Sequence, residues 1–120
     1  PRSAAGGVPE EHLDTAEAFD WWLGDWAPLP RMSAPRVGAA AAVLGRRVVV
    51  AGGYADSALV PLCTAEAFDP AIGEWEMLPP MPTHRYGLAL ASAYGRIHAI
   101  GGCDGNRVLA AHEVYADDVA

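Results

Sequence analysis

The chain has 120 residues, and its formal net charge of −7 comes from 15 acidic residues against eight arginines, with no lysine. Because nucleic-acid binding depends on neutralising many phosphates, this composition argues against a nucleic-acid partner. No apolar run reaches the roughly 18 residues of a transmembrane helix, so we expect no membrane partner either.

The glycine, proline and cysteine content favours an all-β, reduced protein. Thirteen glycines and ten prolines suit short strands joined by tight turns. The two cysteines, Cys63 and Cys103, are too few for a secreted disulfide scaffold and lack metal-ligand spacing. We interpret them as free thiols in a reducing, cytoplasmic compartment; the alternative is a bridge between neighbouring repeats.

The first part of the chain is predicted to hold two strands. Residues 1–11 form either a flexible leader or the remnant of an earlier strand. Residues 13–19 alternate polar and apolar side chains, as in a half-buried strand. A turn at 21–24 leads to a short outer strand at 25–29. Trp21 and Trp22 occupy this turn, and we expect them either to pack against an edge or leader or to form an exposed contact patch.

Two further units are predicted to follow in the same strand order. Residues 37–44 are small and apolar throughout, as expected of a strand buried on both faces. Helix propensity at 39–42 and 88–93 competes with the strand assignment. The second unit has three further predicted strands: Arg47–Ala51, a strand that starts at residue 60 or 61 and ends at 68, and Glu74–Leu78. The third unit has predicted strands at 86–93, Arg96–Ile100 and 108–115. The third unit has no fourth strand.

One segment occurs twice in the chain, and this repeat favours the strand assignment over the helix assignment. The sequence TAEAFD at residues 15–20 recurs at residues 64–69, an offset of 49 residues. The same offset aligns Gly24 with Gly73, Trp26 with Trp75, Met32 with Met81, Arg36 with Arg85 and Gly38 with Gly87. A period near 50 residues indicates a supersecondary unit that must stack on its copies to bury its apolar faces.

The motifs of each unit resemble the kelch repeat. The motifs are a Gly-Gly after the second strand, an aromatic-Asp pair at the end of the third strand and a Trp six residues later. The second unit contains all of them, in residues 45–53, 65–70 and 75–82. The third unit contains part of the pattern, in residues 85–87, 95–105 and 112–115. The resemblance covers residues 12–117. It implies consecutive four-stranded antiparallel blades of an incomplete kelch β-propeller: a leader and partial blade at 1–30, a complete blade at 36–79 and a partial blade at 85–117.

The propeller interpretation gives the repeated residues physical roles. The Gly-Gly pairs at 52–53 and 101–102 are expected where backbones approach too closely for a Cβ. Arg36 or Arg85 is expected to be buried and bonded to a Glu or to carbonyls, because an unpaired buried charge is costly; a functional role is the alternative. The aromatic residues of the third strands, Phe19, Phe68 and Tyr115, are expected to meet the tryptophans of the fourth strands, Trp26 and Trp75.

The number of repeats predicts an incomplete ring. Two and a half repeats cannot close a ring of about four to eight blades. Unpaired edges invite association. The chain starts with Pro and in mid-repeat. We therefore expect a piece of a longer propeller, or an assembly with copies or partners that covers the open edges.

No catalytic motif emerges from the sequence. His12, His84, His98 and His112 are scattered over separate elements with no pair at ligand spacing, and we expect no metal, cofactor or enzymatic activity from this chain. Cys103 has no dedicated base beside it in sequence.

The resemblance implies a binding surface instead. In kelch propellers that act as substrate receptors, partners contact residues just after the Gly-Gly and just after the blade-opening Arg. The corresponding positions are Tyr54, Asp56 and Ser57; Cys103, Asp104, Asn106 and Arg107; Arg36 and Val37; and His84, Arg85 and Tyr86. Taken singly, Asp104 with Gly105 and Asp56 with Ser57 are ordinary turn residues.

We therefore predict a non-enzymatic module that binds a protein or peptide. The resemblance to BTB-kelch substrate receptors implies a substrate-recognition role in a cullin-type ubiquitin ligase. The alternatives are a fragment of a metal-dependent oxidase or lyase with ligands in other blades, or a cytoskeletal scaffold.

Overall fold

The computed structural model describes residues 13–55 and 60–116, and these form nine strands. The strands are β1 (Glu17–Asp20), β2 (Asp25–Pro28), β3 (Ala40–Leu44), β4 (Arg47–Ala51), β5 (Ala65–Asp69), β6 (Glu74–Leu78), β7 (Ala89–Ala93), β8 (Arg96–Ile100) and β9 (His112–Ala116). They build three antiparallel sheets in chain order: the first sheet β1–β2, the second sheet β3–β6 and the third sheet β7–β9. The predicted all-β class is confirmed.

Helices are absent from this part of the chain, including the two segments with helix propensity. Accordingly, the described residues hold no helical segment of the length and hydropathy needed to cross a membrane. The repeat was therefore a better guide to local structure here than the propensity of single residues, because stacking on a copy stabilises the strand.

The repeated Phe-Asp-x-x-x-Gly segment forms the outer hairpin of the first and second sheets. Asp69 Oδ1 accepts a hydrogen bond from the Ala71 N–H at 2.9 Å, and the Asp69 carbonyl accepts from the Gly73 N–H at 2.7 Å. Gly73 has φ +80°, which suits a residue without Cβ. The same turn recurs in the first sheet with Asp20, Trp22 and Gly24. Trp21 and Trp22 are 76% and 79% exposed, so within the described residues the structure favours the exposed patch.

Several predicted strand starts are too early. β4, β6 and β8 have the predicted bounds, but β3 and β7 begin three residues later than predicted. Gly38 and Gly87, with φ near +70°, interrupt the ladder, and Val37 and Tyr86 make only isolated bridges. Similarly, β5 and β9 start late, and Pro61 and Val108 form isolated bridges before them. β1 starts at Glu17 instead of residue 13.

The prediction that β3 is buried on both faces is wrong. Leu44 is buried and Ala42 half-buried, but Ala41 and Val43 are exposed, Val43 by 56%. Side chains alternate between the two faces of a strand. One face of β3 packs towards β7. The first sheet has only two strands in the described residues, so it supplies no inner strand to cover the other face.

The core lies between the second and third sheets. Seven buried side chains form it: Leu44, Val49, Ala51, Ala65, Ala67, Leu78 and Ile97, with Ala42, Met81, Leu90 and Tyr115 packed against them. Four of the seven come from β4 and β5, the central strands of the second sheet. Because three of those four are alanines, the third sheet can approach closely. Burial of this apolar area stabilises the stack of sheets.

The predicted aromatic pairs are present. Phe19 lies opposite Trp26 in the β1–β2 register, and Phe68 lies opposite Trp75 in the β5–β6 register, with ring centroids 5.3 Å apart in both cases. Trp75 Nε1 also donates to the Pro30 carbonyl at 2.7 Å, which ties β6 to the connection before the second sheet. Tyr115 meets no fourth-strand tryptophan among the described residues and packs against the core instead.

The Gly-Gly pairs lie where backbone segments approach each other, between two sheets at Gly52 and within one repeat at Gly53 and Gly102. A Cβ on Gly52 would lie 2.5 Å from the Arg85 carbonyl oxygen, and one on Gly102 would lie 2.7 Å from the Tyr86 carbonyl oxygen. Gly53 is equally restricted, by the Val37 carbonyl at 2.9 Å. Gly101, the counterpart of Gly52, has only a carbonyl at 3.8 Å, because the described residues contain no following repeat that could approach it. The predicted close approach is thus confirmed at three of the four glycines.

Replacing Gly52 by alanine should destabilise the chain more than replacing Gly101. Both glycines have φ near +70°, so the backbone strain is matched, and only Gly52→Ala adds a collision with a backbone carbonyl. We expect Gly52→Ala to lose about 1–3 kcal/mol more of the free energy of unfolding than Gly101→Ala. Urea denaturation of the two variants measures this difference; equal losses would contradict the close approach.

Candidate functional site

The segments predicted to bind a partner meet at the sheet ends that carry the Gly-Gly pairs. Val37 and Tyr54 exchange two backbone hydrogen bonds of 2.9 Å, and Tyr86 and Cys103 exchange two of 3.0 and 2.9 Å. Isolated bridges extend these pairs to Pro61 and Val108. We call the surface formed by these six residues and Asp104, Asn106 and Arg107 the loop edge.

An aromatic contact joins the two halves of the loop edge. The Tyr54 and Tyr86 rings meet edge to face, with centroids 5.2 Å apart and an interplanar angle of 77°. Close backbone packing sets this distance: the Gly87 N–H donates to the Gly38 carbonyl at 2.8 Å, and a Cβ on Gly38 would lie 3.5 Å from the Tyr86 Cβ. Both tyrosines are half-buried. The loop edge therefore contains an aromatic pair held by the backbones of two sheets.

Tyr86 is also coupled to Cys103. A side-chain hydrogen bond with Cys103 is the main cause that raises the pKa of the Tyr86 phenol above its ordinary value, and the electrostatic interaction with Cys103 adds to it. The phenol is therefore neutral at pH 7 and keeps its proton for donation. Cys103 and Cys63 are both free thiols, in agreement with the first of the two sequence interpretations.

Asp104 shapes the loop that follows the second Gly-Gly. Its Oδ1 accepts hydrogen bonds from the backbone N–H groups of Asn106 and Arg107 at 2.9 and 3.0 Å. These bonds, in that order, and then the charge of Arg107 lower the pKa of the Asp104 carboxyl, so it is ionised at pH 7. Asn106 and Arg107 are exposed at the tip, and the Arg107 Nε lies 3.7 Å from Asp104 Oδ2. Asp104 therefore acts as a turn residue that presents its two neighbours.

Arg36 lies inside the second sheet. Its Nε and Nη2 donate to Glu66 Oε2 at 3.1 and 2.9 Å, and its Nη1 donates to the carbonyls of Gly52 and Thr64 at 2.9 and 3.0 Å. Glu66 also accepts from the Ser33 hydroxyl at 2.7 Å. Both charged side chains are almost completely buried, at 0% and 1% exposed.

Arg85 repeats this arrangement in the third sheet. Its Nη2 donates to Glu113 Oε1 at 2.8 Å, and its Nη1 donates to the Gly101 and Ala111 carbonyls at 2.9 and 3.1 Å. Thr83 takes the place of Ser33 and donates to Glu113. We call the two sets, Arg36 with Glu66 and Arg85 with Glu113, the arginine network.

The arginine network corrects the list of candidate contacts. Burial and pairing of the arginines are confirmed for both residues, but their side chains are 0% exposed. Their guanidinium groups bond within the sheets and cannot reach a partner at the surface, so the assignment of Arg36 and Arg85 to partner binding is wrong for the side chains. Of the remaining candidates, His84 is exposed, and Asp56 and Ser57 lie outside the described residues.

The prediction that the histidines are scattered is wrong for one pair. His98 Nδ1 and His112 Nε2 lie 2.9 Å apart, with ring centroids separated by 5.1 Å. The β8–β9 register places His112 opposite Ile100 and His98 opposite Val114, so the two histidines are diagonal neighbours on one face. This contact can be inferred from the pairing of the two strands, but not from the spacing of the two histidines along the sequence. Within 13–55 and 60–116, no group of three or more His, Cys, Asp or Glu residues could hold a metal ion.

Comparison with known proteins finds a family motif in the second sheet and a similar fold among solved structures. A model of the Kelch motif matches residues 35–82, which contain the whole second sheet. This segment of the chain therefore carries a Kelch motif. Among solved structures, 122 chains match. One of them, the structure of YjhT, is 22% identical with a TM-score of 0.59, and the match covers 68% of this chain and 25% of that one. A search of curated proteins finds no match.

The antiparallel sheets of two, four and three strands are consistent with partial blades of a kelch propeller, as the sequence predicted. At 22% identity the likeness to YjhT concerns the fold alone. The chain spans about a quarter of the YjhT structure's length. The loop edge lies at the blade ends that carry the Gly-Gly pairs, and the arginine network lies directly beneath it within the second and third blades.

Replacing Arg85 by methionine should destabilise the kelch blades strongly. The substitution leaves Glu113 without its charge partner, and breaking a buried ion pair typically costs about 3–5 kcal/mol. The matched control is Arg46→Met, because Arg46 is 77% exposed and lies 3.9 Å from Asp69. Urea denaturation should show a large fall in midpoint for the first variant alone. Similar midpoints for both variants would contradict a structural role of the network.

Proposed function

We propose that the chain is a non-enzymatic interaction module that binds a peptide or protein partner through the loop edge. The observation that carries the proposal is the contact between Tyr54 and Tyr86, which holds an aromatic pair on the loop edge, where Arg107 is exposed. Tyrosine and arginine are the residue types most enriched at binding hot spots. Loops on a rigid scaffold commonly carry binding residues.

The chemistry of the loop edge supports a partner with mixed polarity. Tyr54 and Tyr86 offer apolar ring surface, and the tip residues Asn106 and Arg107 offer hydrogen-bond donors. Val108, which is 86% exposed, adds apolar area at the rim. An extended peptide that combines an apolar side chain with a carboxylate fits this combination, since Arg107 can form a charge-assisted hydrogen bond with the carboxylate.

The wider role we propose is recognition of substrates for a cullin-type ubiquitin ligase in the cytoplasm. This step rests on the kelch resemblance and on the two free thiols. Further blades of a longer protein, or copies of the chain, would cover the open faces of the first and third blades, because exposed sheet faces and edges favour association.

The loop edge can be tested with a peptide library displayed on phage. Peptides selected on the 120-residue chain are measured by fluorescence polarisation against the variant Tyr54→Ala, Tyr86→Ala, Arg107→Ala. Loss of hot-spot side chains should weaken binding at least about tenfold, since each hot spot contributes about 2 kcal/mol or more.

The matched control carries Arg46→Ala and Tyr94→Ala. These residues are of the same types, are exposed, and lie in the β3–β4 and β7–β8 hairpin turns, at the opposite end of the strands from the Gly-Gly pairs. The control should bind like the original chain, with folding of all proteins checked by circular dichroism. If the loop-edge variant folds and binds with unchanged affinity, or if the control weakens binding equally, the proposed surface is wrong.

A further inference from the structure

The histidine pair of the third blade lies outside the loop edge and outside the arginine network. His98 projects from β8 and His112 from β9, which pair over five residues. Their nearest ring nitrogens, Nδ1 and Nε2, are 2.9 Å apart. We propose that His98 and His112 form a bidentate site for a divalent transition-metal ion such as Ni²⁺.

The distance between the two nitrogens suits such an ion. A metal–imidazole bond is about 2.0–2.1 Å long, so nitrogens separated by 2.9 Å subtend an angle of about 90° at an ion bound to both. Octahedral and square-planar ions such as Ni²⁺ and Cu²⁺ take ligands at this angle, and imidazole is a suitable ligand for both. The geometry thus favours these ions over a tetrahedral one.

The backbone fixes the two ligands before an ion binds. Both histidines belong to regular strands, and the ladder places them diagonally on one face with their rings 5.1 Å apart. Preorganised ligands lose less conformational entropy on binding. Because no third His, Cys, Asp or Glu joins the pair among the described residues, water completes the coordination.

The neighbouring repeat shows how unusual these two positions are. Aligned on the Gly-Gly pairs, His98 corresponds to Val49; aligned on the glutamates of the arginine network, His112 corresponds to Ala65. Val49 and Ala65 are buried in the core between the second and third blades. The third blade replaces both apolar residues by imidazoles that contact each other. The ion site therefore lies on the face where a further blade of a kelch propeller would pack.

Isothermal titration calorimetry of the 120-residue chain with NiCl₂ tests the site. The original chain should bind one equivalent of nickel at this site, and His98→Gln or His112→Gln should each weaken that binding by about 100-fold or more, because a linked second ligand raises the affinity by at least about that factor. The double variant should lose nickel binding at this site altogether, since neither single variant removes both imidazoles and the double variant leaves no protein ligand there.

His84→Gln is the matched control, because His84 is exposed and lies in the connection between β6 and β7. It should bind nickel like the original chain. His12 is present in every variant, so any nickel that it binds contributes equally to all the titrations. Unchanged nickel binding in His98→Gln and His112→Gln, or an equal loss in His84→Gln, overturns the proposal. In those cases the imidazoles are joined only by a hydrogen bond or bind ions independently.

Discussion

The structure depends on the way Arg85 bonds to two blades at once. Its backbone belongs to the joint between them: the Arg85 N–H donates to the Leu62 carbonyl at 3.0 Å, and the Arg85 carbonyl accepts from the Gly53 N–H at 2.9 Å. Its side chain enters the third blade and pairs with Glu113. Arg36 has the same double role, with its N–H bonded to the first repeat at Leu13. Since an unpaired buried charge is costly, the ion pair of each arginine with its glutamate stabilises the position of the backbone that joins one blade to the next.

This constraint connects the scaffold with the candidate surface. The residue after each arginine, Val37 or Tyr86, bridges to the residue after a Gly-Gly pair, so burial of the arginine positions the loop edge. Gly52 belongs to the same arrangement, because the Arg85 carbonyl occupies the space that a Cβ would need. A rigid, buried layer thus carries an accessible aromatic pair, which is the usual division between scaffold and binding loops. The histidine pair lies on the open face of the third blade.

The sequence predicted the parts of the fold that repeat. The bounds of β4, β6 and β8, the aromatic pairs and the burial of both arginines follow from an offset visible in the printed sequence. It could not predict features that depend on register or on missing neighbours. The contact of His98 with His112 arises from strand pairing across 14 residues. The exposure of Val43 reflects a face without an inner strand to cover it, and the late start of β3 reflects the positive φ of Gly38.

The central claim is that the joint at Arg85 holds the second and third blades together as one unit. Native-state hydrogen exchange, followed amide by amide by NMR, tests it most directly, because two joint amides have defined partners: Gly53 with the Arg85 carbonyl and Arg85 with the Leu62 carbonyl. The account predicts that these amides exchange as slowly as those of β4 and β5 in the core. Exchange at the joint as fast as in the exposed β1–β2 hairpin, with the core strands still protected, would contradict it.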